Sequence, residues 1–336
     1  MKRTMVALAV LAAGTAFAIA PASAKTYTMK IGFATIHDSN HFVANWMKKE
    51  LERRSNGQIK VGVFPSSQLG KIPRQIEGIQ VGSQEAFEGP PGFLIGLNKA
   101  FMVTDAPGLF HSIDHQSRAV NYGPFYKKFM NLGDNKGVVG NVIWSCGDTS
   151  INTVKPFRKL ADVQGLKLRV LATPIERAVV AEMGATGVPM PYTEVLPGMQ
   201  RGVIDGVRTG IIVMYPSKFY TVAKNVTLTA TGYIACAQWL SKSWLKSLPE
   251  NLRDLVFDVG RDVTPMAAMW GRDMTHAAQK AWKKVGHVYH LSAKEEAELI
   301  KRVAPIGQKI LGSDPATKDM YALLKEAAVA TATNWK

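Results

Sequence analysis

Between Thr28 and Ile79 the chain changes its hydrophobic period three times, and this alternation restricts the fold more than any other feature. Thr28–Ala34 (TMKIGFA) alternates as a strand does. Ser39 or Asn40 is then placed to cap a helix with Phe42, Val43, Trp46, Met47 and Leu51 on one face, stopped at Gly57. Gln58–Phe64 (QIKVGVF) returns to period two, and Ile72, Ile76 and Ile79 recur at helical spacing over residues 72–81. Strand, helix, strand, helix in succession predicts a parallel or mixed sheet covered by helices, an α/β fold. Val138–Trp144 and Lys167–Val170 read as later strands. A chain of 336 residues is long enough for two domains or one large α/β unit.

Capping signals order the rest. Thr173–Glu176 (TPIE) is a capping box with Pro at an early helical position, and Gly184 marks the stop. Ser247–Glu250 (SLPE) is a second box. From it Leu252, Val256, Val259, Val263, Met266 and Trp270 predict a helix of about 30 residues, by their spacing of three to four. Pro265 inside it removes one backbone donor and predicts a kink. Ser292–Glu295 (SAKE) opens the C-terminal helices. Thr149–Val163, polar and containing Pro156, is where a crossing between domains is expected.

Residues 1–24 carry Lys2 and Arg3, an apolar run from Met5 to Ala20, and an Ala22-Ser23-Ala24 cleavage pattern. They read as a signal peptide cut after Ala24. No later stretch approaches the roughly 20 apolar residues that span a bilayer. The chain is therefore expected to be exported, with the periplasm as its place. A net charge of +15, two units of it in the leader, would otherwise raise nucleic acid as a partner. In that compartment the charge instead suits small anions and anionic surfaces. Two cysteines exclude a disulfide scaffold or a multi-cysteine zinc module. Cys146 and Cys236 each sit in an apolar strand-like stretch, open either to a disulfide or to two buried thiols, with no catalytic role.

Chemistry-bearing motifs are scarce. The chain has no G-x-S-x-G, no G-x-x-x-x-G-K, no H-E-x-x-H and no G-x-G-x-x-G after a strand. His37 and His41, His111 and His115, and His287 and His290 have the spacing of paired metal ligands. None has a carboxylate or Cys placed to complete three ligands, so surface or capping roles are expected. Neither a metal nor a cofactor is expected.

The central segment carries a more specific signal. LADVQGLKLRV (Leu160–Val170) is followed by MGATGVPMPYTEV (Met183–Val195), MQRGVIDG (Met199–Gly206) and SKFYTV (Ser217–Val222). Upstream stand FPSSQLG (Phe64–Gly70) and PGLF with His115 (Pro107–Phe110). This ordered series, from about Met29 to Ala327, resembles the solute-binding proteins of tripartite ATP-independent periplasmic (TRAP) transporters. The resemblance implies two α/β lobes with mixed sheets, hinge strands and a long lobe-connecting helix, closing on a small organic acid. The implied division is 25–147 plus 234–265 for lobe I, and 148–233 plus 266–336 for lobe II. It implies no enzymatic activity, a small-molecule carboxylate as ligand and a membrane permease as partner. A monomer is expected.

The resemblance also assigns residues. Arg169, ending the G-L-K-L-R strand, is the carboxylate clamp, since a planar guanidinium offers two parallel charge-assisted bonds. Tyr192 holds the aromatic position of P-M-x-[FY]-x-E-V. Thr209 stands where many members carry Asn, and Thr149 where several sugar-acid binders carry a second Arg. Phe93, Ala34 and Ile72 likewise replace Arg, Asn and Asp of that subgroup. Arg169, Tyr192, Thr209, Phe93 and Thr149, with Phe33 and Glu88, make up the expected ligand-binding set, and the missing polar partners favour an aromatic or apolar monocarboxylate over hydroxyl-rich acids. A C4-dicarboxylate or 2-oxo acid, with Arg208 or Lys218 as second cation, is the alternative. An exported hydrolase or lyase using Glu88 or Asp148, and a sensor docking on a receptor kinase, are readings of other classes.

Overall fold

The structure is a computed structural model that describes residues 25–332. The signal-peptide reading lies outside the described residues.

Among these residues nine strands form one mixed sheet: β1 (Tyr27–Gly32), β2 (Ile59–Phe64), β3 (Ala86–Gly89), β4 (Val138–Thr153), β5 (Lys167–Val170), β6 (Thr186–Pro189), β7 (Gly206–Thr209), β8 (Asn225–Ser241) and β9 (His287–His290). Their order is β2-β1-β3-β8-β4-β7-β5-β6, with β9 paired to β8. Two wings of the same design flank a central pair. In one, β1 lies parallel to both β2 and β3; in the other, β5 lies parallel to both β6 and β7. Parallel neighbours need crossovers, and helices Ser39–Arg54, Ile72–Val81, Pro174–Glu182 and Val195–Gln200 supply them.

The central pair, β4 and β8, runs antiparallel from Val138↔Ser241 to Thr153↔Asn225 and so joins the wings. Its register shifts between Ser145 and Asp148 and again before Ser150, around Gly147 at φ +113°. Such bulges leave extra residues on one strand and bend the ladder. The strand expected at Val138–Trp144 is only the first half of β4. Thr149–Thr153, read from sequence as irregular, continues it, because β7 pairs along its other edge. Its polar side chains look loop-like in sequence, yet Asn152 is fully buried and donates to the carbonyls of Ala223 and Asn225. Of the segment read as irregular, only residues 154–159 lie outside a strand or helix.

The long helix runs from Glu250 to Trp282, with Pro265 inside. Its cap differs from the expected box: Ser247 ends a separate short helix, donating to the Trp244 carbonyl, and Pro249 precedes the first turn. Its buried stripe also departs after Val263, passing through Ala267, Gly271 and Thr275 rather than Met266 and Trp270. Small residues win there because the helix lies against β4. A Cβ on Gly271 would come 2.9 Å from the Ser145 carbonyl oxygen, and one on Gly260 2.5 Å from Asn141. Trp270 instead stacks on Phe42 at 5.7 Å.

The first helix, Ser39–Arg54, is capped by Asp38 rather than by Ser39 or Asn40: its carboxylate accepts from the His41 amide. Thr173 and Ser292 cap as expected. The C-terminal helix Lys318–Thr331 packs on the helices Ile113–Val120 and Gly123–Phe129. His115, 2 % exposed, shares a 2.9 Å hydrogen bond with the Ala328 carbonyl, so residues from both sides of the expected lobe division meet here.

Candidate functional site

The carboxyl ends of four strands, two parallel ones from each wing, converge on one cavity. Ala34 and Thr35 follow β1, Phe87–Pro90 end β3, Arg169 and Leu171 end β5, and Thr209 and Gly210 end β7. In open α/β sheets, a crevice forms outside the strand ends where strand order reverses. Here two such ends are contributed by each wing, and β4 and β8 close the floor through Cys146, Ile234 and Cys236.

Arg169 dominates the electrostatics. It is 1 % exposed; its Nε donates to the Met190 carbonyl at 3.2 Å, and its Nη1 has no partner. Among the described residues no carboxylate lies within ion-pair distance of it. Burial lowers its pKa to about 10, so it stays protonated at neutral pH. A buried, charged and uncompensated guanidinium is costly unless an anion arrives to pair with it.

Tyr192 lies over this group, with its ring centroid 5.7 Å from the Arg169 guanidinium carbon. Its hydroxyl is already engaged, donating to the Val213 carbonyl at 3.0 Å and 2.8 Å from Ser217 Oγ. What it offers the cavity is therefore a ring face. Burial raises its pKa, so the phenol is neutral. Phe93, Thr209, Ala34, Ile72 and Glu88 all line the same space. Glu88 is 1 % exposed, and burial, with the nearby Asp38 carboxylate, holds its pKa well above the ordinary carboxylate range.

Two of the expected residues do not reach the cavity. Phe33 points into the core beneath the first helix, fully buried, its ring 5.5 Å from His41. Thr149 lies on the far side of the sheet, where its hydroxyl accepts from Arg208 Nη2 at 3.2 Å. Arg208, proposed as a second cation, is consumed there by an ion pair with Glu176. Lys218 is exposed in a left-handed turn outside the lining, and Asp148 also lies outside it.

Several features of the site escaped the sequence. Asn40, read as a cap, is 4 % exposed and lines the cavity. Cys146 and Cys236 form a disulfide, Cα–Cα 5.8 Å, bridging β4 and β8 at the cavity floor. Only strand pairing could choose the disulfide over two thiols. Two of the histidine pairs serve the backbone: Nδ1 of His41 accepts the His37 amide, and Nδ1 of His115 the His111 amide, both at 3.1 Å. His287 and His290 lie on β9, where a separation of three puts side chains on opposite faces. Among the described residues no group of three or more His, Cys, Asp or Glu could hold a metal ion.

Residues 33–314 match the family described as bacterial extracellular solute-binding protein, family 7. The chain is 29% identical over 259 residues to the 2,3-diketo-L-gulonate-binding periplasmic protein YiaO of Escherichia coli (strain K12), covering 76% of this chain and 78% of that one. It is 26% identical over 311 residues to the C4-dicarboxylate-binding periplasmic protein DctP of Rhodobacter capsulatus, covering 89% and 92%. A TRAP periplasmic solute-binding protein from Desulfovibrio salexigens, solved with bound orotic acid, superposes with a TM-score of 0.85 at 26% identity, over 91% of this chain and all of that one. A match spanning most of the chain, a shared two-lobe architecture and an unpaired arginine in the cleft agree: the chain belongs to family 7 of the bacterial extracellular solute-binding proteins, as a TRAP-transporter protein that binds a small carboxylate and works with membrane permease subunits.

Proposed function

We propose that this protein captures an acid with one carboxylate and an aromatic or otherwise apolar body, and delivers it to its permease. The observation that carries the reading is Arg169: one buried guanidinium without a counter-ion, in a cavity whose larger walls are Tyr192, Phe93, Phe87, Ile72, Leu171 and Ile234. One carboxylate satisfies that arginine. A second would need a second free cation, and Arg208 is already paired behind the sheet. Burying an aromatic body of about 150 Å² contributes about 4 kcal/mol before losses. Added to a charge-assisted clamp, this supports binding near the micromolar range, about −8 kcal/mol. A sugar acid would set several hydroxyls against apolar walls. Orotic acid, the ligand of the Desulfovibrio salexigens relative, is itself a ring acid with a single carboxylate.

Because the walls come from both wings, ligand binds the closed arrangement better than the open one and shifts the population toward closure. A calorimetric titration of benzoate-type acids, 2-oxo acids, succinate and gluconate tests the reading, using protein refolded free of carried-over ligand. Ring acids should bind most tightly. Succinate or gluconate ahead by tenfold or more would transfer the assignment to dicarboxylates or sugar acids.

A further inference from the structure

Arg169 accounts for one end of a ligand. The other wing holds two more buried polar atoms without partners, and they differ in kind. Glu88, on β3, faces Gln238 on β8, whose Nε2 donates to Glu88 Oε1 at 2.8 Å. The orientation of that amide is set from behind, since Gln238 Oε1 accepts from Asn141 Nδ2 at 2.7 Å. Glu88 Oε1 is therefore an acceptor already in use, and Oε2 has no partner. The charged group that acts on Glu88 is the Asp38 carboxylate, and burial together with that negative neighbour keeps Glu88 protonated. With Oε1 accepting, the proton belongs on Oε2, which becomes a hydrogen-bond donor lacking an acceptor.

Asn40 is the complement. Both hydrogens of its Nδ2 are committed, to Thr35 Oγ1 at 3.1 Å and to Asp38 Oδ2 at 2.8 Å. This fixes the amide and leaves Oδ1, buried and unpartnered, as an acceptor lacking a donor. Glu88 and Asn40 both line the cavity that holds Arg169.

We propose that Glu88 and Asn40 form a second subsite that reads a single neutral hydroxyl on the ligand, so that the preferred solutes are hydroxy-acids with one carboxylate. A hydroxyl both accepts and donates, and so satisfies Glu88 Oε2–H and Asn40 Oδ1 together. A hydrogen at that position leaves both atoms buried and unpaired. A second carboxylate can only accept, which leaves Asn40 unpaired and sets a new negative charge beside Asp38. A site whose buried polar groups are matched to a substrate hydroxyl discriminates strongly against analogues that lack it. The proposal rests on Arg169 as the carboxylate clamp.

Calorimetry on the intact protein with matched triples tests it. The ring series are benzoate, phenylacetate and 3-phenylpropanoate, each compared with its 4-hydroxy and its 4-carboxy derivative. The aliphatic series is butanoate, 4-hydroxybutanoate and succinate. In at least one series the hydroxy member should bind at least tenfold tighter than its parent, and the carboxy member weaker than the parent. Glu88→Gln, which keeps a donor, should retain the preference; Glu88→Met should reduce it to within threefold. Hydroxy and parent acids of equal affinity in every series that binds, a carboxy member ahead, or a preference untouched by Glu88→Met each overturns the subsite. Binding confined to the aliphatic series sinks the ring reading while still scoring the subsite, and binding that survives Arg169→Ala sinks the clamp. Absence of binding by every member overturns both.

Discussion

Arg169 and Arg208 stand on adjacent parallel strands, each no more than 2 % exposed, and they do opposite work. Arg169 pairs in register with Val207, so Arg208 lies one residue further along. In a pleated sheet that single step turns a side chain to the other face. Arg169, with Leu171 and Thr209, opens on the cavity. Arg208 enters a buried network in which Nη1 is paired with Glu176, and Nη2 donates to Thr149 and Thr231, both at 3.2 Å. Asp105 completes the network, accepting from Thr173 at 2.8 Å. Both arginines carry the same buried charge. One is compensated within the fold by Glu176, and the other has no carboxylate partner among the described residues, which is the difference on which the proposed clamp rests.

The contrast breaks most visibly on the structural side. Arg208→Ala strands Glu176 beside Asp105 and should cost about 3–5 kcal/mol of stability, read by denaturant unfolding. Ligand affinity of the fraction that folds should change little. An Arg208→Ala protein of wild-type stability that no longer binds would reverse the two roles.

Arg169→Ala should do the converse. Removing the clamp leaves a ligand carboxylate buried without its partner, a loss of about 2–5 kcal/mol in binding. The ligand-free protein should unfold at or above the wild-type temperature, because an uncompensated buried charge has been removed. Arg169→Lys should recover part of the affinity, since it restores charge without the two-pronged geometry. Calorimetry within threefold of wild type for Arg169→Ala would refute the assignment.

The smallest effect tests the network by pH. Asp105 lies near the ion-paired Glu176, and burial with that neighbouring carboxylate raises its pKa to about 7. A folded pKa above the ordinary value of 3.8 means that the native state holds a proton the unfolded chain releases. The stability contributed by Asp105 is thus complete below about pH 4 and lost as pH rises through about 7. Asp105→Asn should therefore gain in melting temperature relative to wild type between pH 5 and pH 8. Parallel curves for the two proteins would mean that Asp105 titrates in the folded protein as it does in the unfolded chain.

Much of this was legible from local pattern. Ile72, Ile76 and Ile79 predict the second helix over 72–81, and it spans Ile72–Val81. The G-L-K-L-R series singled out Arg169, and P-M-x-Y-x-E-V singled out Tyr192; both line the cavity. Thr149 and Phe33 were misplaced for one reason: their chain positions are near the site, but their side chains leave the backbone toward the wrong face. Thr149 follows a bulge that resets the parity of β4, and no rule of composition locates a bulge. Asn40 was taken for a cap because Ser, Asn and Asp compete for that position on equal chemistry. Asp38 won it, which released Asn40 for the cavity.

The sequence by itself determined the family, through motifs in a fixed order, and the succession of strands and helices. These follow from periodicities of two and 3.6 residues and from caps that act over a few neighbours. The tertiary structure decided which face each strand residue takes, that Cys146 meets Cys236 across a separation of 90 residues, and which of two buried arginines is left unpaired. Those outcomes depend on the register between segments far apart in the chain. A shift of one residue exchanges the inside of a sheet for its outside, and only the packed molecule fixes that register.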